Sequence, residues 1–297
     1  MPNKAVNQRR SAFRRFRDRI ASREVVIRFL KRIGKIVGVT YLVICTLLWG
    51  IQGHFIFHPV TVDWEPHHTT EEYEIVVDES AGIKSRGYIL NSKFPGPVIL
   101  FFTGNAGDAL SYAHLFSELE VPSVLSNYRG YGKSDGKPSE KTLLADAKIT
   151  LQMVRERFPD RSIILMGHSL GSAVAIRTSD SNIAGLILIS PFRSLAHVAN
   201  RSLLRLVPVH LLMRHKFDTR ASLDSVPKKV LVLYSKKDWA IPAKETKQVL
   251  KRIAHADIIV DQVGHNTIFW NNLLSIRQWL EQNFEYSINH LFQIDED

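Results

Sequence analysis

The sequence has a single cysteine, Cys45, in 297 residues. Without a second cysteine there is no disulfide, and everything after residue 45 lacks both a thiol nucleophile and a Cys-type metal site. There is no H-E-x-x-H pair for a zinc protease and no phosphate-binding loop. "GKS" at 132–134 has Asn127 where that motif needs a glycine, and "TGNAGD" (103–108) lacks the Lys-Ser/Thr ending. No internal repeat and no low-complexity tract interrupts the chain, which excludes a solenoid or a disordered linker protein. No metal or cofactor is expected.

Charge is missing from one stretch altogether. Between Lys35 and Asp63 there is no Asp, Glu, Lys or Arg. Within it, "IVGVTYLVICTLLWGIQGHFIF" (36–57) is long enough as a helix to span roughly 33 Å, close to the thickness of a bilayer's hydrocarbon core. Trp49 and Phe55 to Phe57 fall near its far end, where aromatic residues favour the membrane interface. The net charge of +10 is concentrated before this run: residues 1–35 carry 12 Lys/Arg against Asp18 and Glu24, and the remaining 27 bases balance 27 acids. A membrane helix over 36–57 is predicted, with a basic cytoplasmic arm (1–35), a tether (58–72) and the folded domain (73–290) across the membrane, in the periplasm of a bacterium. A buried core helix, a cleaved signal peptide and an Arg-rich mitochondrial presequence are the competing readings. The arm is better suited to anionic lipid than to nucleic acid, so no nucleic-acid partner is expected.

Beyond the tether, strand and helix patterns alternate. "YEIVV" (73–77) and "SRGYIL" (85–90) read as an opening hairpin. Near-continuous apolar runs follow at 97–102, 122–127, 162–166, 183–190, 229–235 and 256–261, as expected of strands covered on both faces. Helical stretches fall near 108–119, 139–157, 169–180, 242–254 and 267–284. This predicts an α/β fold with a mostly parallel sheet of about eight strands flanked by helices, in which function gathers at the C-terminal strand ends.

"LMGHSLGSAVA" (165–175) contains Gly-x-Ser-x-Gly around Ser169. The pattern alone is weak, since Gly132-Lys133-Ser134-Asp135-Gly136 fits it as well. Context separates them. Ser169 follows a strand and opens a helix of small residues, as a nucleophile on a strained turn requires. Ser134 lies in a polar, glycine-rich loop ahead of Pro138.

A serine hydroxyl needs a base, and the base an orienting acid. Of twelve histidines, His265 follows the last strand at its C-terminal end. His255 precedes that strand, His168 neighbours Ser169 but is expected to point elsewhere, and His54, His58, His67 and His68 belong to the anchor and tether. Asp238, on a turn closed by Pro242, is the candidate acid; Asp261 is its rival, and Asp257 starts its strand at the wrong edge. The order Ser169, Asp238, His265 is that of α/β-hydrolases. Candidate oxyanion donors are the backbone amides of Leu170, directly after the serine, and of Asn105 or Ala106 in the loop after strand 97–102.

With these residues placed, the chain resembles the membrane-anchored α/β-hydrolase-domain family, which includes eukaryotic protein depalmitoylases and many bacterial hydrolases. The resemblance spans roughly residues 54–284. It is carried in order by "FIFHP", "FFTGNAGD", "NYRGYGKSDGKPSE", "GHSLGSAVA", "SPFRSL", "DWAIP" and "GHN". It implies a serine hydrolase with Ser169, Asp238 and His265 as triad, acting on an acyl ester or thioester near a membrane. A peptidase-like amide hydrolase and a non-catalytic tethered binding module are the alternatives. Two departures stand out: Thr103 where the family usually has His before Gly-Asn, and Asn127 where it commonly has Asp. Arg129, in the loop beside the active site, is read as structural. The long connection 191–226 carries "SLLRLVPVHLLM" (202–213), either a small cap lining an acyl pocket or touching lipid, or a helix completing the core.

Overall fold

The structure is a computed structural model that describes residues 3–61, 70–200, 208–284 and 286. The chain divides into two compact units, Met1–Ile51 and Gln52–Asp297. The first is a continuous helix, α1 (Asn3–Ile56), whose last turn lies in the second unit. Its stretch Val25–Ile56 has a mean hydropathy of 1.8 and is only 6% buried over its most apolar window, so it is long and apolar enough to cross a membrane. A helix completing a soluble core would instead be mostly buried.

The second unit is built on an eight-stranded sheet in the order β1-β2-β4-β3-β5-β6-β7-β8. The hairpin β1 (Thr70–Asp78) and β2 (Ile83–Leu90) is antiparallel, and β2 joins β4 (Ser123–Ser126) antiparallel. From β4 onward every pairing is parallel, through β3 (Val98–Phe102), β5 (Ile163–His168), β6 (Gly185–Ile189), β7 (Val230–Ser235) and β8 (Asp257–Asp261). All eight expected strands are present.

Their apolar runs are uninterrupted because both faces are covered. Val98, Leu100 and Phe102 face one core, together with Leu143, Leu151 and Val154 of α3 (Glu140–Arg157) and Ala173 to Ile176 of α4 (Leu170–Thr178). Ile99 and Phe101 face the other, with Phe116 of α2 (Ala113–Leu119), Phe269 of α8 (Ile268–Asn271), and Ile276 and Leu280 of α9 (Leu273–Phe284). α3 starts at a reciprocal cap: the Ser139 hydroxyl accepts from the Thr142 amide at 3.1 Å, and the Thr142 hydroxyl accepts from the Ser139 amide at 2.9 Å. Among the described residues, the connection after β6 carries two short helices, α5 (Leu195–Ala199) and α6 (Val209–Leu212), before a helical turn at 220–225. Part of the Leu-rich piece 202–213 lies outside the described residues. α7 (Ala243–Leu250) then links β7 to β8.

Two expected boundaries move. Ile56 and Phe57, assigned to the membrane helix, are buried in the domain core. Residues 58–61, at the start of the expected tether, are bonded to the domain: the Val60 carbonyl accepts from the Gly132 amide at 3.0 Å, and Thr61 Oγ1 donates to the Gly132 carbonyl at 2.9 Å. The last side chains of the apolar run thus pack into the domain core. β1 starts three residues earlier than expected; residues 62–69, with His67 and His68, lie outside the described residues.

Arg129 is structural. Its guanidinium holds the buried Asp146 with Nε at 2.7 Å and Nη2 at 2.8 Å, and Nη2 also reaches the Val77 carbonyl at 3.2 Å. Removing one partner of such a pair leaves an uncompensated buried charge. Arg129→Ala is expected to cost about 3–5 kcal/mol in urea denaturation, and the paired change Arg129→Met with Asp146→Leu to recover most of it. A loss below about 1 kcal/mol for the single variant would contradict this role.

Candidate active site

Four neighbouring strand ends, those of β5 to β8, frame the site. His168, the last residue of β5, pairs with Ile189 of β6; Ile189 pairs with Leu233 of β7, and Ser235 with Asp261 of β8. Strand spacing of about 4.8 Å puts the end of β8 roughly 14 Å from that of β5, so residues after β7 and β8 must fold back to meet Ser169.

Ser169 occupies a sharp turn, with φ 54° and ψ −115°. A left-handed non-glycine residue costs roughly 1–3 kcal/mol and persists only where its surroundings hold it. The surroundings here are close backbone contacts. A β-carbon on Gly171 would lie 2.0 Å from the Phe102 carbonyl oxygen, and one on Gly167 2.2 Å from that of Gly171. The glycines therefore let α4 approach β3 and β5 closely enough to force the turn. The Ser169 amide donates to the Ile189 carbonyl at 2.8 Å, pinning the turn to β6.

Asp238 is buried, and both of its oxygens are occupied. Oδ1 accepts from the amides of Ala240 at 2.9 Å and Ile241 at 2.7 Å. Oδ2 accepts from His265 Nδ1 and from Ser190 Oγ, each at 2.7 Å. Burial pushes the carboxyl group upward, but the hydrogen bond and charge of His265, with the bonds from Ile241 and Ser190, outweigh it and hold the group below the ordinary carboxylate range. An ionised carboxylate has no proton to donate, so Nδ1 of His265 carries it and Nε2 is the basic nitrogen. Among the described residues, Nε2 has no hydrogen-bond partner.

His265 comes from the far strand, yet its ring lies 4.9 Å from that of His168, beside Ser169. The site therefore gathers Ser169, Asp238 and His265 at one rim of the sheet. No hydrogen bond joins Ser169 to His265 among the described residues.

The rivals sit elsewhere. Asp261 accepts from the side chains of Asn271 and Asn272, each at 2.7 Å, and Asp257 from Trp279 Nε1 at 2.7 Å. His255 reaches the Pro227 carbonyl at 3.2 Å. Ser134 Oγ accepts from the Arg86 amide at 2.8 Å, and so fastens its loop to β2.

A β-carbon at Gly104 would lie 3.8 Å from Ser169 Cβ, so the loop after β3 adjoins the serine. The amides of Asn105, Ala106 and Leu170 have no acceptor among the described residues. The Leu170 amide is also the first of α4, where helical amides point out unpaired. The Thr103 carbonyl accepts from the Tyr128 hydroxyl at 2.8 Å. Asn127 donates to Asp108 Oδ1 at 2.9 Å and accepts from the Ala109 amide at 2.8 Å. Aspartate at 127 would bring two carboxylates together at that spot, which accounts for the amide.

Sequence reasoning missed two residues of this rim and misjudged a third. Ser190 sits fully buried at the end of β6, with φ 51°; applying the strand-end rule to every polar residue would have found it. Trp239 follows Asp238, is 76% exposed, and stands edge-on to His265 at 6.1 Å. His168 was expected to point away, but the turn folds its ring onto His265. Burial, followed by the charge of His265, lowers its pKa to about 3, and its Nδ1 meets the Tyr112 hydroxyl at 3.2 Å.

A parallel sheet with an antiparallel hairpin at one edge and a strained serine between strand and helix defines the α/β-hydrolase class. Comparisons with known proteins agree. Residues 95–218 match the family model described as serine aminopeptidase, S33. An uncharacterised protein of Mycobacterium tuberculosis is 31% identical over 235 residues, covering 75% of this chain and 83% of that protein. A lysophosphatidylserine lipase of Danio rerio is 28% identical over 181 residues, 52% of this chain and 46% of the lipase. Among solved structures, a Pyrococcus furiosus esterase matches with a TM-score of 0.62 at 15% identity, over 76% of this chain and 98% of the esterase. The chain belongs to the α/β-hydrolase family.

The buried neutral His168 gives stability a pH signature. Its native pKa of about 3 lies below the ordinary 6.5. Between those values the unfolded chain holds a proton that the native chain does not. This contribution is complete above pH 6.5 and falls with acidification, by up to about 1.4 kcal/mol per pH unit. Urea midpoints at pH 7 and pH 5 should therefore diverge more for the wild type than for His168→Gln. Equal pH dependence in the two proteins would contradict the assignment.

Proposed function

We propose that this protein is a membrane-anchored serine hydrolase that cleaves an acyl ester or thioester. In this reading Ser169 Oγ attacks the substrate carbonyl while His265 Nε2 takes its proton. Asp238 keeps the imidazole in the reactive tautomer and stabilises its positive charge. The tetrahedral oxyanion is received by the Leu170 amide and by Asn105 or Ala106. His265 then gives the proton to the departing alcohol or thiol. Water, activated by the same imidazole, releases the acid from the acyl-enzyme and restores the serine.

The observation that carries this reading is the 2.7 Å bond from His265 to a buried Asp238, on the rim that also holds the strained Ser169. An apolar substrate is supported by Trp239, exposed beside His265, and by the apolar helix that leads into the domain. Relatives and neighbours that are a lipase and an esterase agree with ester chemistry. The reading further assigns residues 1–35 to the cytoplasm and the catalytic domain to the far side, periplasmic in a bacterium. An aminopeptidase-like amide hydrolase is the second reading, favoured by the description of the matching family model. A non-catalytic binding module would have no use for a strained serine at this rim.

A fluorophosphonate probe should label the wild type stoichiometrically and leave Ser169→Ala unlabelled, and kcat should fall by at least about 10⁴-fold in that variant. A folded wild type that resists the probe would overturn the reading. Comparing p-nitrophenyl esters of increasing chain length with aminoacyl anilides separates the two enzyme readings: faster turnover of the anilides would move the assignment to the peptidase.

A further inference from the structure

The loop that carries Asn105 and Ala106 is held by the residues that leave the apolar helix. The Asn105 carbonyl accepts from the His58 amide at 2.9 Å and from the Tyr131 hydroxyl at 2.8 Å. The same His58 amide also reaches the Tyr131 oxygen at 3.1 Å, closing a three-cornered knot. Asn105 Nδ2 donates to the Ile56 carbonyl at 3.1 Å, and His58 and Ala106 form an isolated parallel bridge. The incoming segment is itself clamped. Gln52 bonds the Leu212 carbonyl at 3.2 Å and the Arg214 amide at 2.7 Å, and the Phe57 ring stands edge-on to His215 at 5.2 Å. Tyr131 is fully buried.

Peptide planarity gives this knot a consequence. The carbonyl of Asn105 and the N–H of Ala106 belong to one rigid plane and point in opposite directions. Two donors on the carbonyl therefore fix where the Ala106 amide is aimed, and the side-chain bond to Ile56 restrains rotation of the residue. At the start of this loop the Thr103 hydroxyl offers only a 3.3 Å bond to the adjacent Gly104 carbonyl. The restraint comes from across the loop instead.

We propose that Tyr131 and the segment Ile56–His58 are positioning residues for the oxyanion donors, so that the chain emerging from the apolar helix is a working part of the active site. This inference rests on the serine-hydrolase reading. Tyr131 does not touch the reacting atoms; its hydroxyl acts through the Asn105 carbonyl. Because donors aimed at an oxyanion matter in the transition state and little in the ground state, the effect belongs in kcat rather than KM.

The test uses the full-length protein in detergent micelles, with Tyr131→Phe and, as a second variant, Asn105→Ala. Steady-state hydrolysis of a p-nitrophenyl ester is measured with the inhibition constant of an alkyl trifluoromethyl ketone, whose serine adduct carries the oxyanion. Both are read below the thermal midpoint of each variant. The expected result is a fall of about tenfold in kcat for Tyr131→Phe, KM within about twofold, and a matching rise in the ketone's inhibition constant. Asn105→Ala should move the same three quantities in the same directions. An unchanged inhibition constant in both folded variants, beside an active wild type, would overturn this inference alone. A wild type that neither hydrolyses the ester nor reacts at Ser169 would overturn the serine-hydrolase reading and this inference with it.

Discussion

A carboxylate can be buried only where its lone pairs are used, and Asp238 uses all of the obvious ones. Two amides of its own turn hold one oxygen; Ser190 and His265 share the other. The rest of the rim depends on that arrangement. It keeps Asp238 ionised, which sets the tautomer of His265, which in turn leaves the second ring nitrogen free. Burial by itself would favour the neutral acid; the hydrogen bond and charge of His265, with the bonds from Ile241 and Ser190, hold the group below the ordinary carboxylate range. The turn closed by Pro242 matters for this reason: it presents two amides to one oxygen three residues past the end of β7.

The rim is also a place where the chain accepts strain. Ser169 and Ser190 both have left-handed backbones, at the ends of adjacent central strands. Each is held by an amide bonded to the neighbouring strand, Ser169 to Ile189 and Ser190 to Leu233, at 2.8 Å apiece. The sheet ladder thus continues one residue beyond each strand. One hydroxyl is left without a partner among the described residues; the other is spent on Asp238. The two serines serve opposite ends because only Ser190 is bonded to a carboxylate.

Much of this was legible in the sequence, and for identifiable reasons. The strands were readable because a sheet covered on both faces needs apolar residues at every position, as in "VILFF" and "VLVLYS". Ser169 could be told from Ser134 because one follows such a run and the other does not. Asp238 and His265 emerged from asking which end of a strand each follows. What escaped was information carried by backbone groups and by long-range contacts. Ser190 reads as the last residue of an apolar strand run until the φ of 51° and the contact with Asp238 are seen. Tyr131 acts through a carbonyl, which no residue pattern records. Ile56 and Phe57 have the same apolarity as the helix before them, so hydropathy alone could not say that they belong to the core.

The direct measurement of the central claim is a rapid-quench experiment with a p-nitrophenyl ester at enzyme concentrations comparable to product. The account predicts an initial burst approaching one p-nitrophenolate per active site, with the acyl group recovered by peptide mapping on the fragment containing Ser169. Steady hydrolysis with no burst and no acylated peptide, or an acyl group recovered on any other residue, would contradict it.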